Sequence, residues 1–278
     1  MPRRLWIAIA SLILIWPAIA QPQSIPSAAD LPTGPRPDSY HIWNGLAFGI
    51  NPVVLGDQFK VYRKMPWGEG KTLLTSDSHW RLGSINTISP SYLTPGILIG
   101  VSPLLIMDLD VHYGPAFNTM YYTYQSYRSR YDPSSLGEPR REIGVFHQAT
   151  ANLTLKAAVG PIAVLELVDQ DYYYSEKYFF DWEVGTIIKE GWSTRSKTFL
   201  ACEYATDRRL FINYEYFLYY PSAFQNQLAS LGLLFTNLQP WNFTWIFQTG
   251  YHLEHPKFKG IKVWTAAFAE WDFPIKPK

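Results

Sequence analysis

The chain has 278 residues, with 24 Lys plus Arg against 23 Asp plus Glu and 17% aromatic residues. A balance this even excludes a basic nucleic-acid binder and an acidic solvating tail, so no nucleic-acid partner is expected. The single cysteine, Cys202, excludes an internal disulfide framework.

Residues 1–20 read MPRRLWIAIASLILIWPAIA. Arg3 and Arg4 precede an apolar run from Leu5 to Pro17, and Ala18-Ile19-Ala20 supplies a small-x-small cleavage pattern, the form of a secretory signal peptide. The rival, an uncleaved anchor, suffers from a core that is short for a membrane span. Residues 21–39, QPQSIPSAADLPTGPRPDS, are rich in Pro and polar residues and are expected to form an extended periplasmic leader. Residues 40–273 are then expected to be one β-domain, with 274–278 a short tail.

Through that domain the residues alternate with a period of two. In IMDLDVHY, Met107, Leu109, Val111 and Tyr113 oppose Asp108, Asp110 and His112. In VFHQATANLTLKAAV, the odd-numbered positions from Val145 to Val159 are mostly apolar, while Gln148, Thr150, Asn152, Thr154 and Lys156 are polar. SKTFLACEY sets Leu200, Cys202 and Tyr204 against Lys197, Phe199 and Glu203. RLFINYEYFLYY sets Leu210, Ile212 and Tyr214 against Phe211, Asn213 and Glu215. WNFTWIFQTGYH sets Phe243, Trp245 and Phe247 against Thr244, Gln248 and His252. The last run, IKVWTAAFAEWDF, sets Ile261, Val263, Trp271 and Phe273 against Lys262, Trp264, Phe268 and Glu270. With further runs near 41–50, 53–64, 79–89, 94–102, 162–174 and 224–237, about twelve strands are predicted, joined by short Pro, Gly and Asp turns.

Two architectures fit exported strands with one dry face. In a β-sandwich the dry face packs on another sheet; in a transmembrane barrel it meets lipid and the wet face lines the interior. Runs of ten to fifteen residues suit membrane strands of about 9–11 residues better than ordinary strands of about 5–6. Aromatic residues gather at run ends, where amphipathic rings sit at headgroup depth. Closure also leaves no unpaired edge. The fold class predicted is therefore all-β: a transmembrane, antiparallel, up-and-down barrel.

On these runs, the export signal and the terminal strand IKVWTAAFAEWDF, residues 40–273 resemble the outer-membrane β-barrel proteins of Gram-negative bacteria. That resemblance implies outer-membrane residence, an even strand number and a last strand ending in an aromatic residue. Phe273 matches in kind, although Pro274-Ile275-Lys276-Pro277-Lys278 follows it.

The polar residues expected in the lumen are Asp108, Asp110, His112, Asn152, Lys156, Glu166, Lys197, Glu203, Asn213, Glu215, Gln248, Lys262 and Glu270. His147 and Asp169 fall on the dry parity near run ends, so they are expected at the interface. Asp108, Asp110 and His112 share a face, but alternate side chains lie about 7 Å apart; a charge cluster paired with Lys156, Lys197 or Lys262 is expected in place of a metal site. No cofactor motif and no Ser–His catalytic arrangement stands out, so an enzyme is the less favoured reading. Arg128, Arg130, Arg140 and Arg141, on the longest excursion, are candidate contacts to anionic lipid, lipopolysaccharide or an envelope protein.

Large inward residues such as Phe211, Phe217, Tyr219, Trp264 and Phe268 would narrow the bore. The expected function is a structural or scaffolding barrel, a subunit of an envelope complex. The alternatives are a narrow porin-like channel, an enzyme that modifies outer-membrane lipid or lipopolysaccharide, and a soluble secreted sandwich that binds a ligand.

Overall fold

The computed structural model describes residues 36–50, 54–68, 72–89, 92–118, 144–181, 186–220, 224–240, 242–254 and 260–275. Arg128, Arg130, Arg140 and Arg141, the expected export signal and most of the expected leader lie outside the described residues.

Twelve strands follow in chain order: β1 (Ser39–Ile50), β2 (Val54–Pro66), β3 (His79–Ile88), β4 (Tyr92–Leu104), β5 (Met107–Asn118), β6 (Gly144–Val159), β7 (Ile162–Asp181), β8 (Thr186–Ala205), β9 (Arg208–Tyr219), β10 (Phe224–Leu238), β11 (Phe243–Glu254) and β12 (Gly260–Pro274). Each pairs antiparallel with the next. β1 also pairs with β12, from Ser39↔Pro274 to Ile50↔Val263. The sheet is a closed barrel with no free edge, which removes the sandwich alternative.

Both ends of the chain's sheet, Ser39 and Pro274, meet at one rim. The tight joins at 105–106, 160–161 and 206–207 lie at that same terminal rim. Asp207 takes a left-handed φ of 61° in its turn, a conformation that short polar residues tolerate. Its carboxylate accepts hydrogen bonds from the Thr236 hydroxyl at 3.0 Å and the Asn237 amide at 2.7 Å. This ties the β8–β9 turn to the end of β10.

The alternation resolves into an inside and an outside. Outward side chains such as Leu46, Ile97, Ile99, Leu210, Ile212 and Leu231 are exposed and apolar. The inside is divided. In the terminal half of the bore, Trp43, Leu165, Leu167, Phe199, Phe211 and Phe268 form one apolar cluster with their neighbours on β1 and β7–β12. A smaller cluster of Ala116, Phe146, Tyr173, Phe217 and Tyr219 lies toward the opposite rim. Charged and polar side chains occupy the rest, mainly on β2–β8.

The register of β7 corrects two expectations. Glu166 faces outward, hydrogen-bonded by the hydroxyls of Ser196 at 2.6 Å and Thr198 at 2.5 Å, both on the outer side of β8. Asp169 faces inward, is almost wholly buried and accepts from the Asn152 amide. The apolar plug is the reason. Leu165 and Leu167 are dry because they pack inside the barrel, not because they touch lipid, so parity inferred from dryness inverts along this strand.

Candidate functional site

The site is the polar wall of the bore, and its chemistry begins with an ion-pair cluster near the terminal rim. Arg81, Gly100 and Asp110 stand in register across β3, β4 and β5. The Arg81 guanidinium reaches over Gly100 to within 3.0 Å of Asp110 Oδ1 and 3.3 Å of Asp108 Oδ1. A Cβ at position 100 would fall 1.9 Å from Asp110 Oδ1, so the middle strand must be bare for its two neighbours to meet. Asp108 also accepts from Lys156 Nζ at 3.0 Å and from the Ser102 hydroxyl. The contact with Asp110 is close but off the hydrogen-bond axis, as Asp110 Oδ1 has no hydrogen-bond partner.

Lys60 lies farther along the same wall, its ammonium 5.1 Å from the centre of the Trp43 ring, within cation–π range. At this level the cationic wall and the apolar plug meet. Beyond it, Asp171 collects the Gln148 amide at 3.1 Å and the hydroxyls of Thr150 at 2.5 Å and Ser193 at 3.2 Å. On the adjoining strands β8 and β9, Glu215 lies 3.9 Å from both Arg195 Nε and Lys197 Nζ, and Arg195 stacks 5.4 Å over the Phe217 ring. A cavity of about 30 Å³ opens beside His112, Gln58, Thr87 and Gln148, room for about two waters. Gln58 Oε1 is buried there without a hydrogen-bond partner.

The remaining candidates sit as follows. Asn152 and Lys156 face inward on β6, and Asn213 and Glu215 face inward on β9. Gln248 donates to Ser230 inside at 2.5 Å. Glu203 pairs with Arg209 at 2.7 Å near the terminal rim. Lys262 and Glu270 stand on the inward side of β12, with Glu270 3.8 Å from His41. His112 lines the cavity apart from the Asp108 cluster, so the three residues of IMDLDVHY do not converge. Among the described residues no group of His, Cys, Asp and Glu is placed to hold a metal. His147 faces outward, its Nδ1 3.0 Å from the Tyr113 hydroxyl. Arg81, Lys60, Asp171 and Arg195 were missed by the sequence reading. The signal for Arg81 was present, because His79, Arg81 and Gly83 alternate with Trp80 and Leu82.

The outer surface decides what surrounds the barrel. On β8 the exposed rings of Tyr204 and Trp192 stand twelve residues apart. At about 3.3 Å per residue and a tilt near 40°, that spans about 30 Å along the barrel axis. Tyr40, Trp80, Trp271 and Phe273 ring the terminal rim, all exposed. An apolar belt bounded by aromatic rings, on a sheet with no edge, is a lipid-facing surface. The chain is a transmembrane β-barrel. Its twelve strands cross the bilayer, and its belt contacts lipid.

Neither a protein-family model nor a curated protein matches this chain. Solved structures similar to it include CdiB from Acinetobacter baumannii, at 9% identity and a TM-score of 0.43, covering 85% of this chain and 60% of that one. The beta domain of the Bordetella autotransporter BrkA is similar at 8% identity and a TM-score of 0.45, covering 84% and 98%. The NanC porin is similar at 7% identity and a TM-score of 0.39, covering 85% and 100%. The chain thus spans less than two thirds of the CdiB structure. These are likenesses between barrels and say nothing of what this one does.

Proposed function

We propose that the barrel is a narrow channel that passes small hydrated solutes along the polar wall of its bore. The observation that carries this reading is the lengthwise division of the interior. Charged and hydrogen-bonding groups run from Asp108 and Arg81 near the terminal rim, past Lys60 and Asp171, to the cavity beside Gln58 and His112. The apolar plug faces them from β1 and β7–β12 in the terminal half of the bore, and polar groups return beyond the plug at Glu215, Gln248 and Lys262. A bore packed only for stability favours apolar side chains, since burying ions costs more than it returns. A wall of ions and amides with partly unmet polar atoms suits a path that exchanges water or solute.

Passage along it must be slow and selective for size. At mid-bore Arg195 is 3% exposed and Lys197 6% exposed, so side chains nearly close the section. Single-channel recording in planar bilayers tests the reading: small, discrete currents are expected, with the Arg81→Gln variant shifting ion preference toward cations. The tight inner packing favours a second reading, a closed structural barrel in an envelope complex. Electrical silence from correctly folded wild-type and Arg81→Gln protein would select that one.

A further inference from the structure

A second polar feature lies outside the bore, where lipid should be. On the outer face of β7 and β8, Glu166 is bonded by Ser196 and Thr198, and the Thr194 hydroxyl donates to Gln170 Oε1 at 2.7 Å. Thr198, the register partner of Glu166, is midway on β8 between the Tyr204 and Trp192 rings, about 15 Å from each along the barrel axis. This is the middle of the hydrocarbon. A carboxyl group there is costly against lipid tails, and intramembrane ionisable residues ordinarily face protein or water.

The opposite flank carries a counterpart. On the outer face of β1–β3, Asn44 Nδ2 donates to Asp57 Oδ1 at 2.8 Å, and Asn86 Nδ2 lies 3.4 Å from Ser84 Oγ. Asp57 is six residues along β2 from Arg63, which pairs with Tyr40 of the terminal ring. That count matches the six residues from Tyr204 to Thr198, so the two patches share one depth. In a twelve-stranded ring, β2 and the β7–β8 pair are almost diametrically opposed.

We propose that copies of this chain associate side by side in the membrane, the β7–β8 face of one against the β1–β3 face of the next. Identical barrels inserted in one orientation bring equal depths together, so each mid-belt patch meets a mid-belt patch. Two different patches on opposite flanks are what head-to-tail contact requires. The chemistry matches across this contact. The amides of Asn44 and Asn86 supply donors to Glu166, and the Gln170 amide supplies donors to Asp57. A self-contact of the β7–β8 face would set Glu166 against Glu166. Among the described residues no outward Lys or Arg lies between the aromatic rings, so amides and hydroxyls are the donors on offer.

The test is oxidative cross-linking of full-length protein in lipid vesicles, in a Cys202→Ala background. The double variant Thr198→Cys with Leu46→Cys, the latter an exposed residue in register with Asp57, is expected to give a ladder of dimers, trimers and higher species, and either single variant none. Adding Glu166→Leu should remove the ladder while leaving a folded, heat-modifiable band. No ladder from folded double variant overturns the proposal, as do dimers from Thr198→Cys alone, which would mean a self-contact. Should the double variant fail to fold, sedimentation of the unsubstituted protein in mild detergent decides: multiples of the monomer mass support the contact, and a uniform monomer overturns it.

Discussion

A methyl group at position 100 has nowhere to go. It would land on the carboxylate of Asp110 and within 2.8 Å of Arg81 Nε, so Gly100→Ala must push the ion pair apart or bend β4. Overpacking of this kind costs about 1–3 kcal/mol, and urea unfolding of the barrel in vesicles should show a loss of that size. Asp108 is the more expensive residue to lose, because it faces two cations at once. Asp108→Asn is expected to destabilise the barrel by about 3 kcal/mol in the same measurement, as Arg81 keeps only Asp110 and Lys156 loses the carboxylate it pairs with. Of this cluster, Asp108, Asp110 and Lys156 were legible in the sequence, because on β5 and β6 the apolar residues keep to one parity and the charges to the other, a regularity that the surroundings of Glu166 on β7 lack. Gly100 was not legible. Its role comes from two strands that are neighbours of β4 in space, and a single run carries no trace of them.

At the scale of the strand, β6 and β7 differ in how much their own residues reveal. VFHQATANLTLKAAV has polar groups on one parity and small or aliphatic groups on the other, and the strand sits in the barrel as that pattern dictates. IAVLELVDQDYYY has Leu165 and Leu167 on one parity and Val164 and Val168 on the other, because the first pair fills the apolar plug and the second faces out. Both sides are dry over this stretch, so hydrophobicity carries no information about facing. Only the pairing with β6 and β8 fixes it. The consequence is measurable. Leu167 is 1% exposed, and Leu167→Ala should cost about 2–4 kcal/mol through the cavity it leaves. Val168→Ala, one residue on but turned outward, should cost about 1 kcal/mol or less, since lipid chains fill the space a lost methyl leaves. Equal losses at the two positions in urea unfolding would contradict the register.

For the whole molecule, closure and belt follow from the chain's own alternation, whereas conductance depends on how completely the side chains obstruct the bore. Phe217 is the residue to ask. Its ring is 1% exposed, lies under the Arg195 guanidinium and belongs to the cluster that includes Tyr219 and Phe146. Arg195 in turn lies beside Glu215, so the ring holds an ionic group across the section where the bore is most filled. Phe217→Ala removes a ring from that section and frees Arg195 to swing. In a channel, the change widens the polar path at its constriction, and single-channel current should rise by at least about twofold, a relative gain larger than any removal near the already open cavity would give. In a closed structural barrel the same change leaves an internal cavity, costs about 3–5 kcal/mol of stability and passes no current. Recording from folded Phe217→Ala protein beside its unfolding curve separates the two, because the stability loss is common to both and the current belongs to one.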